Sequence, residues 1–182
     1  AELAAEVAPA RVIALLAHPF VRLGLTRSEV VRAAAALEIG GLRGPAPIPK
    51  NSFDGMRAAV ALQRNATERV PRAKKRLKAI DWDLSETILD RLEIALDRFR
   101  TDLQPAIGNL VALAALHREA CERMMGGAET EEEIDDPSLD TLDGLFDDLE
   151  SAEQEALPGR FSDYAAFFTA LKQDPVLNRV HL

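Results

Sequence analysis

The sequence predicts an all-α fold, an irregular multi-helix domain of about six to eight helices with a proline-rich loop and an acidic loop. Three observations predict it. Alanine and leucine dominate an apolar fraction of 47%, and these residues lose less conformational freedom in a helix than branched or aromatic ones do. Apolar positions recur at spacings of three and four instead of alternating. Capping residues ahead of those runs and Gly or Pro behind them mark helix boundaries. With 182 residues and 29% charged side chains, the chain is long enough to bury a core and reads as a single helical domain over 1–182.

Each element has its own local signals. A first helix is predicted over Pro9–Ala17, ended by Pro19. Thr26 and Glu29 have the spacing of a capping box and open a second helix. Its buried face is read as Val30, Val31, Ala34, Ala35 and Leu37, and Gly40-Gly41 stop it. The three prolines of 44–49 exclude regular structure, leaving a loop. A third helix spans about Phe53–Val70, broken at Pro71, and resumes from Ala73 to Ile80. Asp83 or Ser85 caps a fourth through Ile88, Leu89, Leu92, Leu96 and Phe99. Thr101 or Asp102 caps a fifth, with Pro105 in its first turn. That helix runs to about Met125 before Gly126-Gly127. Ile107, Leu110, Val111, Leu113, Ala114 and Leu116 make it apolar on more than one side, as a central helix would be. Residues 129–136 are acidic and read as a solvated loop. Ser138 caps a helix through Leu139, Leu142, Leu145, Phe146 and Leu149. A last one covers Ser162–Lys172, burying Tyr164, Phe167, Phe168 and Leu171, and the tail from Val176 is extended.

Charge is unevenly distributed. The net charge is −8, yet residues 1–100 carry 17 Lys/Arg against 12 Asp/Glu, while residues 101–182 carry 5 against 18. Bulk charge therefore argues against indiscriminate nucleic-acid binding but leaves room for a local basic face. Cys121 is the single cysteine, so an intrachain disulfide is impossible, which fits a reducing, cytoplasmic setting. No apolar run reaches the roughly 20 residues of a membrane span, and no secretory signal opens the chain. The start without methionine and the ending Val180-His181-Leu182 are those expected of a piece of a longer protein.

Catalytic signatures are missing. No phosphate loop or dinucleotide fingerprint occurs, so no cofactor and no small-molecule substrate is expected. His117 and Cys121 lie four apart on one helix face, but two ligands fall short of a zinc site. Cys121 lacks a base partner for nucleophilic chemistry. Asp135, Asp136, Asp140, Asp143, Asp147 and Asp148 form an acidic cluster without the calcium-loop pattern, and read as a solvated helix surface. No catalytic residue and no metal ligand is assigned. Most of the interest lies in Arg69, Arg72, Lys74, Lys75, Arg76 and Lys78, six cations beside a proline break. Such a cluster can neutralise phosphates without reading bases. It can equally coat a helix surface, and no aromatic residues are interleaved for stacking on single strands.

Val12-Ile13-Ala14-Leu15-Leu16-Ala17-His18-Pro19-Phe20-Val21-Arg22-Leu23-Gly24-Leu25, followed by Arg27–Arg32, Ala36-Leu37-Glu38 and Leu42-Arg43-Gly44-Pro45, resembles a segment of the alphaproteobacterial AddB family. Asp54-Gly55-Met56-Arg57 and Tyr164-Ala165-Ala166-Phe167-Phe168 look like further landmarks, the most specific part covering about residues 12–57. These are packing and turn motifs. The family's protein is a far longer subunit of a helicase–nuclease that resects double-strand DNA breaks for recombinational repair, with AddA as partner. The resemblance implies an internal helical insertion, comparable to a 2B-type subdomain, in the helicase-like region. It carries over no catalytic or cluster-binding residue, and implies DNA and an AddA-like subunit as partners, reached through the parent protein. A protein-interaction module without DNA contact, using the acidic 129–150 region, is the alternative, and a stand-alone helical enzyme a third.

Overall fold

The computed structural model describes residues 7–43, 52–67, 70–102, 108–127, 136–151 and 158–173. They are helical apart from connecting segments and one two-residue antiparallel pairing of β1 (Gly108–Asn109) with β2 (Pro158–Gly159). The helices are α1 (Pro9–Ala17), α2 (Arg27–Leu37), α3 (Phe53–Arg64), α4 (Ala79–Asp102), α5 (Leu110–Met125), α6 (Pro137–Ser151) and α7 (Phe161–Gln173). The all-α expectation holds. The proline-rich loop, the acidic stretch 128–135, Arg69, Pro105, Ile107 and the tail lie outside the described residues.

The chain divides into two compact units. One takes Glu6–Ala95 with Arg123–Glu131. Its core is built from Val12 and Leu16 of α1, Val30, Ala33, Ala36 and Leu37 of α2, Phe53, Met56 and Val60 of α3, and Trp82, Ile88, Leu89 and Leu92 of α4. The capping box at the start of α2 is present. Glu29 N–H donates to the Thr26 hydroxyl, while Thr26 N–H donates to the Glu29 carboxylate at 2.9 Å. The Thr26 N–H, and then the Thr26 hydroxyl, both donating to it, hold the Glu29 carboxyl below its ordinary pKa. The buried face of α2 is rotated from the expected one, however. Ala33 and Ala36 face inward, whereas Ala35 is exposed and Val31 is 51% exposed. An all-alanine stretch leaves the sequence little to tell one face from another.

Gly40-Gly41 do not stop α2. The chain widens into a π turn over Glu38–Leu42 with both glycines buried. A Cβ on Gly40 would lie 2.7 Å from Trp82 Cζ3 and 3.3 Å from Leu77 Cδ1, and one on Gly41 would lie 2.6 Å from Val60 Cγ2. These glycines serve close approach between elements, not chain termination. Left-handed backbone falls elsewhere, at Leu23 (φ 55°) and Gly24 (φ 69°). Met124 O accepts from Arg22 and Leu23 N–H, Gly126 O accepts from Gly24 N–H, and Arg91 donates to Leu23 O at 2.8 Å. This set of bonds holds a non-glycine residue in a region that costs it energy.

α3 ends at Arg64, capped by Asn65, six residues short of the expected Val70. Between Pro71 and Lys78 only one 3-10 turn forms, Lys74–Arg76, in place of a resumed helix. Proline removes an amide and restricts the residue before it, so Val70-Pro71 cannot continue the spiral. α4 then starts at Ala79, ahead of Asp83 and Ser85, neither of which caps it. Asp81 does half of that work, its carboxylate accepting from Lys78 N–H at 2.7 Å. Ser85 is fully buried and donates to Asp81 O.

The second unit takes Leu96–Glu122 with Glu132–Leu182 and Ala1–Ala5. Its described core includes Phe99 of α4, Val111, Leu113, Ala114 and Ala120 of α5, Phe146 of α6 and Tyr164 of α7. Thr101 and Asp102 close α4 instead of capping the next helix, and α5 begins at Leu110, where the Asn109 side chain accepts from Val111 N–H. α5 does end before Gly126-Gly127 as expected. α6 is capped by Asp136, not Ser138, whose N–H and hydroxyl both donate to that carboxylate. In α7 Tyr164 is buried, and Phe167 is 39% exposed where the sequence expectation buried it. The side chains of Phe168 and Leu171 lie outside the described residues.

Candidate nucleic-acid interface

The basic segment leaves α3 and enters α4 through the 3-10 turn. Two anchors pull the turn inward. Lys74 is 6% exposed and its ammonium donates to the Gln63 side chain at 2.5 Å. Burial holds its pKa below the ordinary lysine value. Leu77 is half-buried and approaches Gly40 in the π turn. At the end of the segment, Asp81 accepts from Arg32 at 2.6 Å and from Lys78 N–H, so the entry into α4 is tied to α2. The Arg32 hydrogen bond, then the Lys78 N–H, depress the Asp81 carboxyl pKa.

Arg72, Lys75, Arg76 and Lys78 are all exposed. A 3-10 turn has three residues per turn, so consecutive cations splay in different directions, and Lys74 is the one that meets the core. Among the described residues the side chains of Arg72, Lys75 and Arg76 form no ion pair, and the Lys78 charge is felt at Asp81. Other cations in this unit behave differently. Arg57 holds Asp54, Asp90 and Glu93, Arg64 holds Asp83 at 2.8 Å and Glu86 at 3.3 Å, and Arg32 holds Asp81. The structure thus brings four of the six sequence-predicted cations to the surface, turns Lys74 away, and leaves Arg69 outside the described residues.

The remaining chemical candidates take structural places. His117 stacks on Phe99 with centroids 5.2 Å apart, meets Phe146 edge-on, and has Nδ1 3.0 Å from the Tyr164 hydroxyl. Burial pushes the Cys121 thiol up to about 11, so it is protonated near neutral pH. Asp136 caps α6, while Asp140, Asp143, Asp147 and Asp148 are exposed, Asp147 receiving a hydrogen bond from Arg118. Asp135 lies outside the described residues. Among the described residues no group of three or more His, Cys, Asp or Glu could hold a metal ion, and no helix is long and apolar enough to cross a membrane. Sequence reasoning missed Gln63, the partner that claims Lys74. A glutamine on an amphipathic helix carries no signal that would single it out. No family model, no curated protein and no solved structure matches this chain.

Proposed function

We propose that this chain is a non-catalytic helical subdomain of an AddB-like helicase–nuclease subunit acting in cytoplasmic double-strand break repair beside an AddA-like partner. In this reading Arg72, Lys75, Arg76 and Lys78 touch the DNA backbone. The observation that carries it is the contrast in cation use: Arg32, Arg57 and Arg64 on the neighbouring helices neutralise carboxylates, while Arg72, Lys75 and Arg76 have no ionic partner among the described residues. Exposed cations on a short turn suit phosphate contacts that position a duplex without reading its bases. The resemblance of residues 12–57 to the AddB family is what points this reading to such a parent protein.

The test replaces Arg72, Lys75 and Arg76 with alanine in the subunit assembled with its partner. DNA affinity should fall, and the slope of log affinity against log salt should shrink by about 0.9 per lost phosphate contact. An unchanged slope sinks the DNA-contact proposal. The exposed Asp140, Asp143, Asp147 and Asp148 of α6 favour a second reading, a protein-docking module for a basic partner surface. Capture of the AddA-like subunit, lost on replacing those aspartates with asparagine while DNA binding is untouched, would select it.

A further inference from the structure

Lys74 is a charged group that the basic segment buries beside a neutral partner. Its ammonium donates to the Gln63 side chain at 2.5 Å, and the residue is 6% exposed. The carboxylates that follow it in sequence are engaged elsewhere. Asp81 accepts from Arg32 and from Lys78 N–H, and Arg64 holds Asp83 and Glu86. Burial is what lowers the Lys74 pKa, and no carboxylate among the described residues raises it again. A buried charge held only by a neutral group costs stability that a carboxylate partner would reduce. Gln63 is the penultimate residue of α3, and the unpaired carbonyls at a helix C-terminus carry partial negative charge. They ease the burial of the ammonium without cancelling it. The positive charge of Lys74 is therefore kept inside the segment that displays Arg72, Lys75 and Arg76.

We propose that Gln63 is a positioning residue of this segment whose neutrality matters: it fixes Lys74 in place and leaves the lysine charge to act on DNA phosphates through the field of the turn. The proposal rests on the reading of Arg72, Lys75, Arg76 and Lys78 as DNA-backbone contacts. Lys74 is bracketed in sequence by these cations, and consecutive Cα atoms are only about 3.8 Å apart. Salt screens a buried charge less than an exposed one, so Lys74 adds to the local potential although it touches no ligand. Gln63→Glu would hold the turn at least as firmly, since an ammonium bonds a carboxylate more strongly than an amide. It would also cancel one charge of the site.

Fluorescence anisotropy with a short labelled duplex, run over a salt series, tests this on the protein, Gln63→Glu, Gln63→Met and the triple alanine variant of Arg72, Lys75 and Arg76. Urea denaturation reports the stability of each. Gln63→Glu should keep or gain stability while binding the duplex at least about threefold more weakly at about 0.05 M salt. The gap should close at about 0.5 M, where the Debye length falls to about 4 Å. Gln63→Met, neutral but without the amide, should lose stability yet bind within about twofold of the parent. A purely structural role would instead move stability and affinity together. Gln63→Glu binding as tightly as the parent, or Gln63→Met weakened as much as Gln63→Glu, overturns the proposal. If the triple variant also binds like the parent, the DNA reading fails and takes this proposal with it. If the triple variant alone weakens, only the role of Gln63 is refuted.

Discussion

Lys74 and Lys75 are adjacent in one 3-10 turn, yet Lys74 is buried against Gln63 while Lys75 stands in solvent with Arg72, Arg76 and Lys78. The inner side of the segment is fastened by Lys74, by Leu77 against Gly40, and by Asp81 between Arg32 and Lys78. The outer side touches nothing ionic among the described residues except Asp81 through Lys78. The difference teaches that a run of like charges need not act as a unit. Backbone twist assigns each member a direction, and one inward lysine can anchor the turn that displays the others. Stability should therefore depend on the inner side and ligand affinity on the outer side.

Gly40→Ala attacks the inner side hardest. The added methyl must displace the Trp82 ring and crowd Leu77, and overpacking of this kind costs about 2 kcal/mol. Urea denaturation should report the loss; a variant as stable as the parent would show that the π turn can yield. Asp81→Asn comes next and is read through pH. The folded Asp81 pKa lies below the unfolded one, so its contribution is present above the unfolded value, near 4, and is lost as pH falls through the folded value. The parent should lose stability over that acidic window more steeply than the variant, and parallel pH curves would remove Asp81 from the anchor. Lys74→Ala should cost about 1 kcal/mol, for the lost hydrogen bond and the packing of its stem. A ligand-binding defect without any stability loss would instead place Lys74 with the outer cations. Lys75→Ala should change stability by less than about 0.5 kcal/mol, as exposed positions do. Its effect belongs in the salt dependence of DNA binding, and a large thermal shift would blur the division between the two sides.

Legibility followed the range of the interactions. α1 was readable to the residue because Pro9 suits a first turn and Pro19 bars continuation. The Thr26–Glu29 box was readable because both partners sit within four residues. By contrast, Ser85 looks like a cap in sequence but is buried inside α4, and Thr101-Asp102 end a helix that they were expected to start. Short polar residues favour caps, but a long amphipathic helix can override that preference through packing. The candidate site divided the same way. Clustered cations are visible in the sequence, whereas the inward turn of Lys74 depends on Gln63, eleven positions away.

By itself the sequence determined the all-α class, the opening helices and the charge of the segment after Pro71. These rest on propensity, capping and proline geometry, which act over a few residues. Tertiary structure alone decided that Gly40-Gly41 would be packing surfaces for Trp82 and Val60, that α2 would bury Ala33 and Ala36, and that Arg91 and Arg123 would flank one cleft. Each of those outcomes depends on which side chain another element brings within reach. No local pattern encodes that, because distant residues become neighbours only when the core closes.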